Sequence, residues 1–270
     1  MYKKVIKFHI VMLLIMSHVL LMTGCNNSNP TETKNQEPPT MPPASSMQLD
    51  LSAFGGTGTL AKSNAGIHFT TAAITVAVIN TWVVLGLAPA VFLFGQALNE
   101  TPVLESDAKF HWKFTSTFAL IRYNTDLAGW IDVANKQSNW EMHVSAPNVF
   151  NKFKYYDGTC ALDLKSGRWT FYKPQNPDSG KAMIQIDWQM VNDSTRTLTF
   201  TNVLEGNASQ GTTLTYNVDG RDVSMTFFNS VSNKTAQVYW DAITTAGCID
   251  SPDYNGGVPG CWDEHRNDVP

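Results

Sequence analysis

The sequence predicts an α+β fold in which a large, curved antiparallel β-sheet packs against an N-terminal apolar helical segment. Two observations predict it. Residues 67–98 are mostly apolar and contain no Asp, Glu, Lys or Arg, whereas from Lys109 onward apolar and polar residues alternate over much of the chain. Alternation with a period of two places apolar side chains on one face of a strand, and a long apolar run without it favours helix.

The apolar segment 67–98 is too long for a typical buried strand, so we interpret it as helical despite its β-branched residues. Gly86 and Pro89 interrupt the segment, and Pro89 suits the first position of a helix. The pattern therefore predicts two helices, with Ser63 or Asn64 capping the first one.

The alternating region predicts a meander of about ten strands, because short turn sequences separate successive runs. The strongest hairpin signal is Asp219-Gly220, which lies between two clean alternating runs. The other turn signals are Asp157-Gly158, Ser166-Gly167, Ser179-Gly180 and Asn192-Asp193-Ser194.

One face of this sheet is apolar and aromatic, and the only large apolar partner in the chain is segment 67–98. That segment could fill the core, cover a cavity as a lid, or insert into a membrane, since more than about 20 uncharged residues meet the length criterion for a span. If the sheet and the segment enclose an apolar ligand, we expect the following residues to line it: Trp82, Phe92, Trp112, Trp140 and Trp188.

The N-terminus predicts export. Three lysines within the first seven residues precede an apolar stretch, residues 8–22, as in a secretory signal peptide. The stretch closes on Leu21-Met22-Thr23-Gly24-Cys25, which resembles the lipobox of bacterial lipoproteins, although Met22 stands where Leu is usual. The resemblance covers about a tenth of the chain.

The lipobox resemblance implies that the signal, residues 1–24, is removed and that Cys25 carries a diacylglycerol, with acyl chains such as palmitate holding the protein on a membrane. Residues 25–46 are rich in Pro, Asn and Thr and predict an extended linker, followed by one globular domain over 47–270. Similarity to the best-known lipoprotein sorting system, together with Asn26, implies the outer membrane of the cell envelope.

Charge argues against a nucleic-acid partner. Without the three lysines of the signal, 16 basic residues face 23 acidic ones, a net charge of −7. Such a chain repels phosphate backbones and anionic membrane surfaces.

Three cysteines remain besides Cys25. Cys248 and Cys261 bracket a short loop rich in Pro and Gly, so we predict a disulfide between them, although pairing of Cys160 with either stays open. No motif indicates a metal site, a cofactor or an enzyme. His111 and His143 fall on the polar side of their strands, and Glu141 shares that side with His143.

A curved antiparallel sheet closing on helices in an exported lipoprotein resembles the half-barrel fold of periplasmic lipoprotein carriers and receptors, which bind acyl chains. The resemblance implies a lipid or another hydrophobic ligand between sheet and helices. The alternatives are a surface module for carbohydrate or protein and a structural envelope protein without a small ligand. For carbohydrate stacking, the least clearly phased aromatics are Trp130, Tyr155, Tyr156 and Tyr172.

Overall fold

A computed structural model describes the following residues, with the side chains of 82–86 excepted: 36–55, 65–174, 179–192 and 194–270. The predicted signal, Cys25 and the two capping candidates at positions 63 and 64 lie outside the described residues. The chain divides into two compact units, 1–37 and 38–270, and the second unit contains every element named below. It begins earlier in the chain than the predicted domain boundary at residue 47.

Among the residues that the structure describes, the second unit is mostly one open antiparallel sheet of 14 strands, each paired with its neighbours in chain order. The strands are β1 (Val103–Leu104), β2 (Phe110–Phe118), β3 (Ile121–Asp132), β4 (Gln137–Ala146), β5 (Phe150–Ala161), β6 (Ser166–Tyr172), β7 (Ala182–Asn192), β8 (Thr195–Asn202), β9 (Thr213–Asp219), β10 (Asp222–Asn229), β11 (Lys234–Asp241), β12 (Gly247–Asp250), β13 (Gly260–Trp262) and β14 (Asp268–Val269). The predicted meander is therefore confirmed.

The strand number exceeds the expected ten because four strands, β1 and β12 to β14, have only two to four residues. Runs that short carry no readable alternation. The predicted hairpin at Asp219-Gly220 is confirmed, since Asp219 pairs with Asp222 and Gly220 has a φ of 60°. Gly favours this left-handed region because it has no Cβ.

One long helix, α1 (Ile67–Ala97), precedes the sheet. It does not lie at the N-terminus of the chain, so the predicted α+β arrangement describes the fold only roughly. The prediction of two helices was also wrong, because Pro89 lies inside α1. Proline removes one backbone donor and usually breaks a helix. Here Leu87 and Ala90 on either side of it are buried, and this packing favours the continuous helix.

The start of α1 is capped from the far end of the chain. Its N-cap residue, Gly66, has no side chain to accept a hydrogen bond, and the Asp268 carboxylate instead accepts bonds from the Ile67 N–H (3.0 Å) and the His68 N–H (2.8 Å). A carboxylate at this position satisfies free N–H groups and complements the helix dipole. The C-terminal strand β14 is thereby fixed to α1.

The sheet curves around α1. The helix contacts β2 near one edge and β12 to β14 at the other, while Phe94 contacts Trp169 in β6 (ring centroids 5.7 Å apart). Phe94 and Leu93 are fully buried by this arrangement. The apolar face of the sheet and one side of α1 therefore form a single core.

Residues 38–54 also join this core. Two 3₁₀ turns, Ala44–Ser46 and Ser52–Phe54, flank the stretch 47–51. Met47 is buried, and the Ser46 hydroxyl accepts a hydrogen bond from Trp169 Nε1 (3.1 Å). Part of the predicted linker therefore packs into the compact unit.

Glycines on the inner face of the sheet lie under tryptophan rings of adjacent strands. A Cβ built on Gly158 would lie 2.2 Å from a ring carbon of Trp169, and one on Gly129 would lie 2.6 Å from Trp140. The two other pairs are Gly167 under Trp188 and Gly247 under Trp262. An aromatic ring that covers a strand glycine fills the space of the missing side chain. These pairs pack the interior densely.

Candidate ligand groove

The outward side of α1 forms one wall of a groove of about 540 Å³, and the chain segment 47–49 forms the other. We call it the apolar groove. It is lined by Met47, Gln48, Leu49, Asn80, Leu87, Ala88, Val91, Phe92, Gly95 and Gln96. Its volume lies within the range of roughly 300–1,000 Å³ that is typical of small-molecule pockets.

The lining of the apolar groove contains aliphatic and aromatic side chains, three carboxamides and no charged group. Leu87 and Met47 are buried at its base, while Val91 and Phe92 are half-buried. A Cβ built on Gly95 would meet no atom within 4 Å, so the groove has free space at this position. Such a lining suits an apolar molecule with a small number of hydrogen-bonding atoms.

Exposed apolar residues lie next to the apolar groove. Phe92 packs on Phe118 at the end of β2, with ring centroids 5.2 Å apart. The turn that follows contains Leu120, whose side chain is 99% exposed, and Ile121 is also exposed. Single exposed aliphatics are common on soluble proteins, so Leu120 and Ile121 alone do not indicate a site.

The residues predicted to line an apolar ligand do not lie together. Phe92 lines the apolar groove, but Trp112, Trp140 and Trp188 are packed into the core. The Trp112 and Trp140 rings contact each other at 5.5 Å, and the Trp140 Nε1 donates to Ser138 Oγ (2.9 Å). The side chain of Trp82 lies outside the described residues.

Apart from Phe92, the groove residues of α1 were not predicted, although the sequence contains a signal for them. Ala88, Val91 and Gly95 follow one another at spacings of three and four, which places them on one face of a helix. A glycine inside a helix lowers helix stability relative to alanine, so its presence there points to a packing or functional reason. The position of segment 47–49 against that face left no sequence signal.

The cysteines separate into a surface pair and a buried thiol. Cys248 and Cys261 occupy directly paired positions of β12 and β13 and are joined by a disulfide. Cys160 is a free, buried thiol, and desolvation by burial raises its pKa to about 12. A thiol with such a pKa is a weak nucleophile at neutral pH.

His111 and His143 lie on the outer face of the sheet. His111 Nδ1 is 2.7 Å from Asp126 Oδ1, and His111 Nε2 is 3.2 Å from Asp107 Oδ2. Burial of the ring lowers the pKa of His111, but hydrogen bonds and charge interactions with these carboxylates outweigh it and raise the pKa. His143 Nε2 lies 3.5 Å from Glu141 Oε1.

Of the four aromatic residues considered for carbohydrate stacking, two are buried and two are half-buried. Tyr155 and Tyr156 are buried, and burial raises the pKa of both hydroxyls. Trp130 and Tyr172 are half-buried on the outer face, and a lysine ammonium covers each ring, Lys109 at 4.0 Å from the Trp130 centroid. These lysines already occupy the faces on which a sugar would stack.

Within the described residues, no group of three or more His, Cys, Asp or Glu side chains could hold a metal ion. In the same part of the chain, no helix has the length and hydropathy needed to cross a membrane.

Comparison of the chain with known protein families, with characterised proteins and with solved structures found no match.

Proposed function

We propose that this protein is an envelope lipoprotein, anchored through Cys25 and located at the outer membrane, whose apolar groove binds a lipid acyl chain. The observation that carries the proposal is the groove itself, an open space of about 540 Å³ with an uncharged, largely apolar lining. The proposal involves no enzymatic step and no cofactor.

Burial of hydrocarbon supplies the binding free energy. Each methylene moved from water into an apolar site contributes about 0.8 kcal/mol, so a long chain binds even where each contact is weak. The carboxamides of Gln48, Asn80 and Gln96 offer donors and acceptors to an ester or a protonated carboxyl group. The lining has no lysine or arginine, so it favours an uncharged head group over a carboxylate or a phosphate.

Native mass spectrometry of the full chain carrying Cys25→Ser tests this function. We expect a copurifying apolar molecule, or saturable uptake of added monopalmitoylglycerol. The matched variants are Gly95→Phe, which fills the groove, and Gly95→Ala, which adds only a methyl group. Uptake should be lost in the first and retained in the second.

Two results would contradict the proposal. If the chain takes up no monopalmitoylglycerol, or if Gly95→Phe takes it up as well as the parent does, the apolar groove is not a lipid site. A protein that binds no small molecule in these experiments would instead fit the structural alternative.

A further inference from the structure

A second groove lies on the outer face of the sheet, across strands β2, β3 and β4. We call it the polar groove. Its volume is about 740 Å³, and it is lined by Lys113, Phe114, Thr115, Asn124, Thr125, Asp126, His143, Ser145 and Lys152. Hydroxyl, amide, carboxylate, imidazole and ammonium groups thus meet in one place, in contrast to the uncharged apolar groove.

The pairing between β4 and β5 is irregular near Lys152, which lines the polar groove. The register shifts between Met142 and His143 and again between Val144 and Ala146. Lys152 has a φ of 46°, and its N–H donates to Ser145 Oγ (2.9 Å). Irregularities of this kind re-aim side chains and are frequent beside functional sites.

Lys152 also differs from the other lysine of the polar groove in its charge environment. Lys113 is paired with Glu105 and lies 3.8 Å from Asp126, which also accepts the His111 hydrogen bond. In the part of the chain that the structure describes, no carboxylate pairs with Lys152. The polar groove therefore contains a cation that is free to bind an anionic group.

Neutral polar groups of the polar groove have hydrogen-bonding atoms without a partner among the described residues. Thr115 Oγ1 donates to Asn124 Oδ1 (2.9 Å), which leaves the two amide N–H donors of Asn124 for a ligand. Thr125 alternates with Asn124 and Asp126 along β3, so its buried hydroxyl faces the core and not the polar groove.

We propose that the polar groove binds an acidic saccharide, that is, a polyhydroxylated ring bearing one carboxylate. Lys152 binds the carboxylate, and Asn124, Asp126 and His143 exchange hydrogen bonds with the hydroxyl groups. The mixture of donors and acceptors distinguishes such a ligand from a simple anion, for which the Asp126 carboxylate would be repulsive.

NMR titration of the full chain carrying Cys25→Ser tests the proposal with three probes: galacturonate, galactose and inorganic phosphate. We expect galacturonate to bind saturably and to shift the amides of β2, β3 and β4. Galactose should bind at least about tenfold more weakly, because it lacks the charge-assisted bond to Lys152. Phosphate should also bind more weakly than galacturonate.

Lys152→Gln should weaken galacturonate binding about tenfold, whereas Lys136→Gln should leave it unchanged. Lys136 is a matched control because it is an exposed lysine with a similar φ of 53° in the turn between β3 and β4. Absence of galacturonate binding, equal binding of phosphate, or an equal effect of the two substitutions would overturn the proposal. None of these results depends on the apolar groove.

Discussion

Two apolar regions of this protein differ in what occupies the space above their glycines. On the inner face of the sheet, Gly158 lies under Trp169, and three further glycines lie under tryptophan rings. On the outward side of α1, Gly95 has no neighbouring atom at its Cβ position. Both regions are apolar in sequence, yet the first is filled and the second is open. We conclude that apolar composition alone does not separate a filled core from an open groove.

The largest expected effect is the loss of a tryptophan from the filled region. Trp169 is fully buried and contacts Tyr156 and Phe94, so Trp169→Ala should lower the free energy of unfolding by about 3–5 kcal/mol. Trp130→Ala is the matched control, because Trp130 is half-buried on the outer face against Lys109, and it should cost only about 1 kcal/mol. Urea unfolding measures both, and equal costs would contradict the described core.

Glycine substitutions compare the two regions directly. Gly158→Ala should destabilise the protein by about 1–3 kcal/mol, because the new methyl group would overlap the Trp169 ring and the Arg168 carbonyl oxygen. Gly95→Ala should instead stabilise it by about 0.5–1 kcal/mol, since alanine favours helix and meets open space. Thermal unfolding of the two variants shows whether each substitution raises or lowers the stability of the protein. A destabilised Gly95→Ala protein would show that the apolar groove is filled.

The smallest expected effect belongs to the outer face, where His111 interacts with the carboxylates of Asp107 and Asp126. The raised pKa of His111 means that the folded protein binds this proton more tightly than the unfolded chain does, so protonation of His111 stabilises the fold. Its contribution should be complete below the usual histidine pKa of about 6.5 and should disappear as pH rises through the raised pKa.

Unfolding experiments on the parent and on His111→Gln between about pH 6 and pH 9 check this prediction. The stability difference between the two proteins should shrink as the pH rises. Asp126→Asn should reduce the pH dependence in the same way, because Asp126 accepts the shorter of the two His111 bonds. A difference that grows with pH would contradict the assignment.

Much of the sheet could be predicted from the sequence, because a period of two decides which residues share a face. Trp112, Trp140 and Trp188 were expected on one apolar face, and all three are buried there. The further prediction, that these tryptophans line a ligand, requires more than a shared face. Alternation shows which side chains point inward, but it does not show whether the interior is filled.

The unpredicted features depend on long-range contacts. The Asp268 cap of α1 joins residues about 200 positions apart. The helix continues through Pro89, and the neighbouring residues Leu87 and Ala90 are buried. The position of segment 47–49 and the register shifts beside Lys152 likewise follow from packing and strand pairing. Local sequence patterns do not show which distant residues will come into contact.

The most direct test of the account locates a bound acyl chain. Isotope-filtered NMR of the full Cys25→Ser chain with monopalmitoylglycerol would record which side chains lie near the ligand methylenes. We predict contacts to Val91 and Phe92 in the apolar groove and none to Trp140 or Trp188. Contacts to those two tryptophans, or no contacts at all, would contradict the proposal that the apolar groove, and not the packed interior, holds the acyl chain.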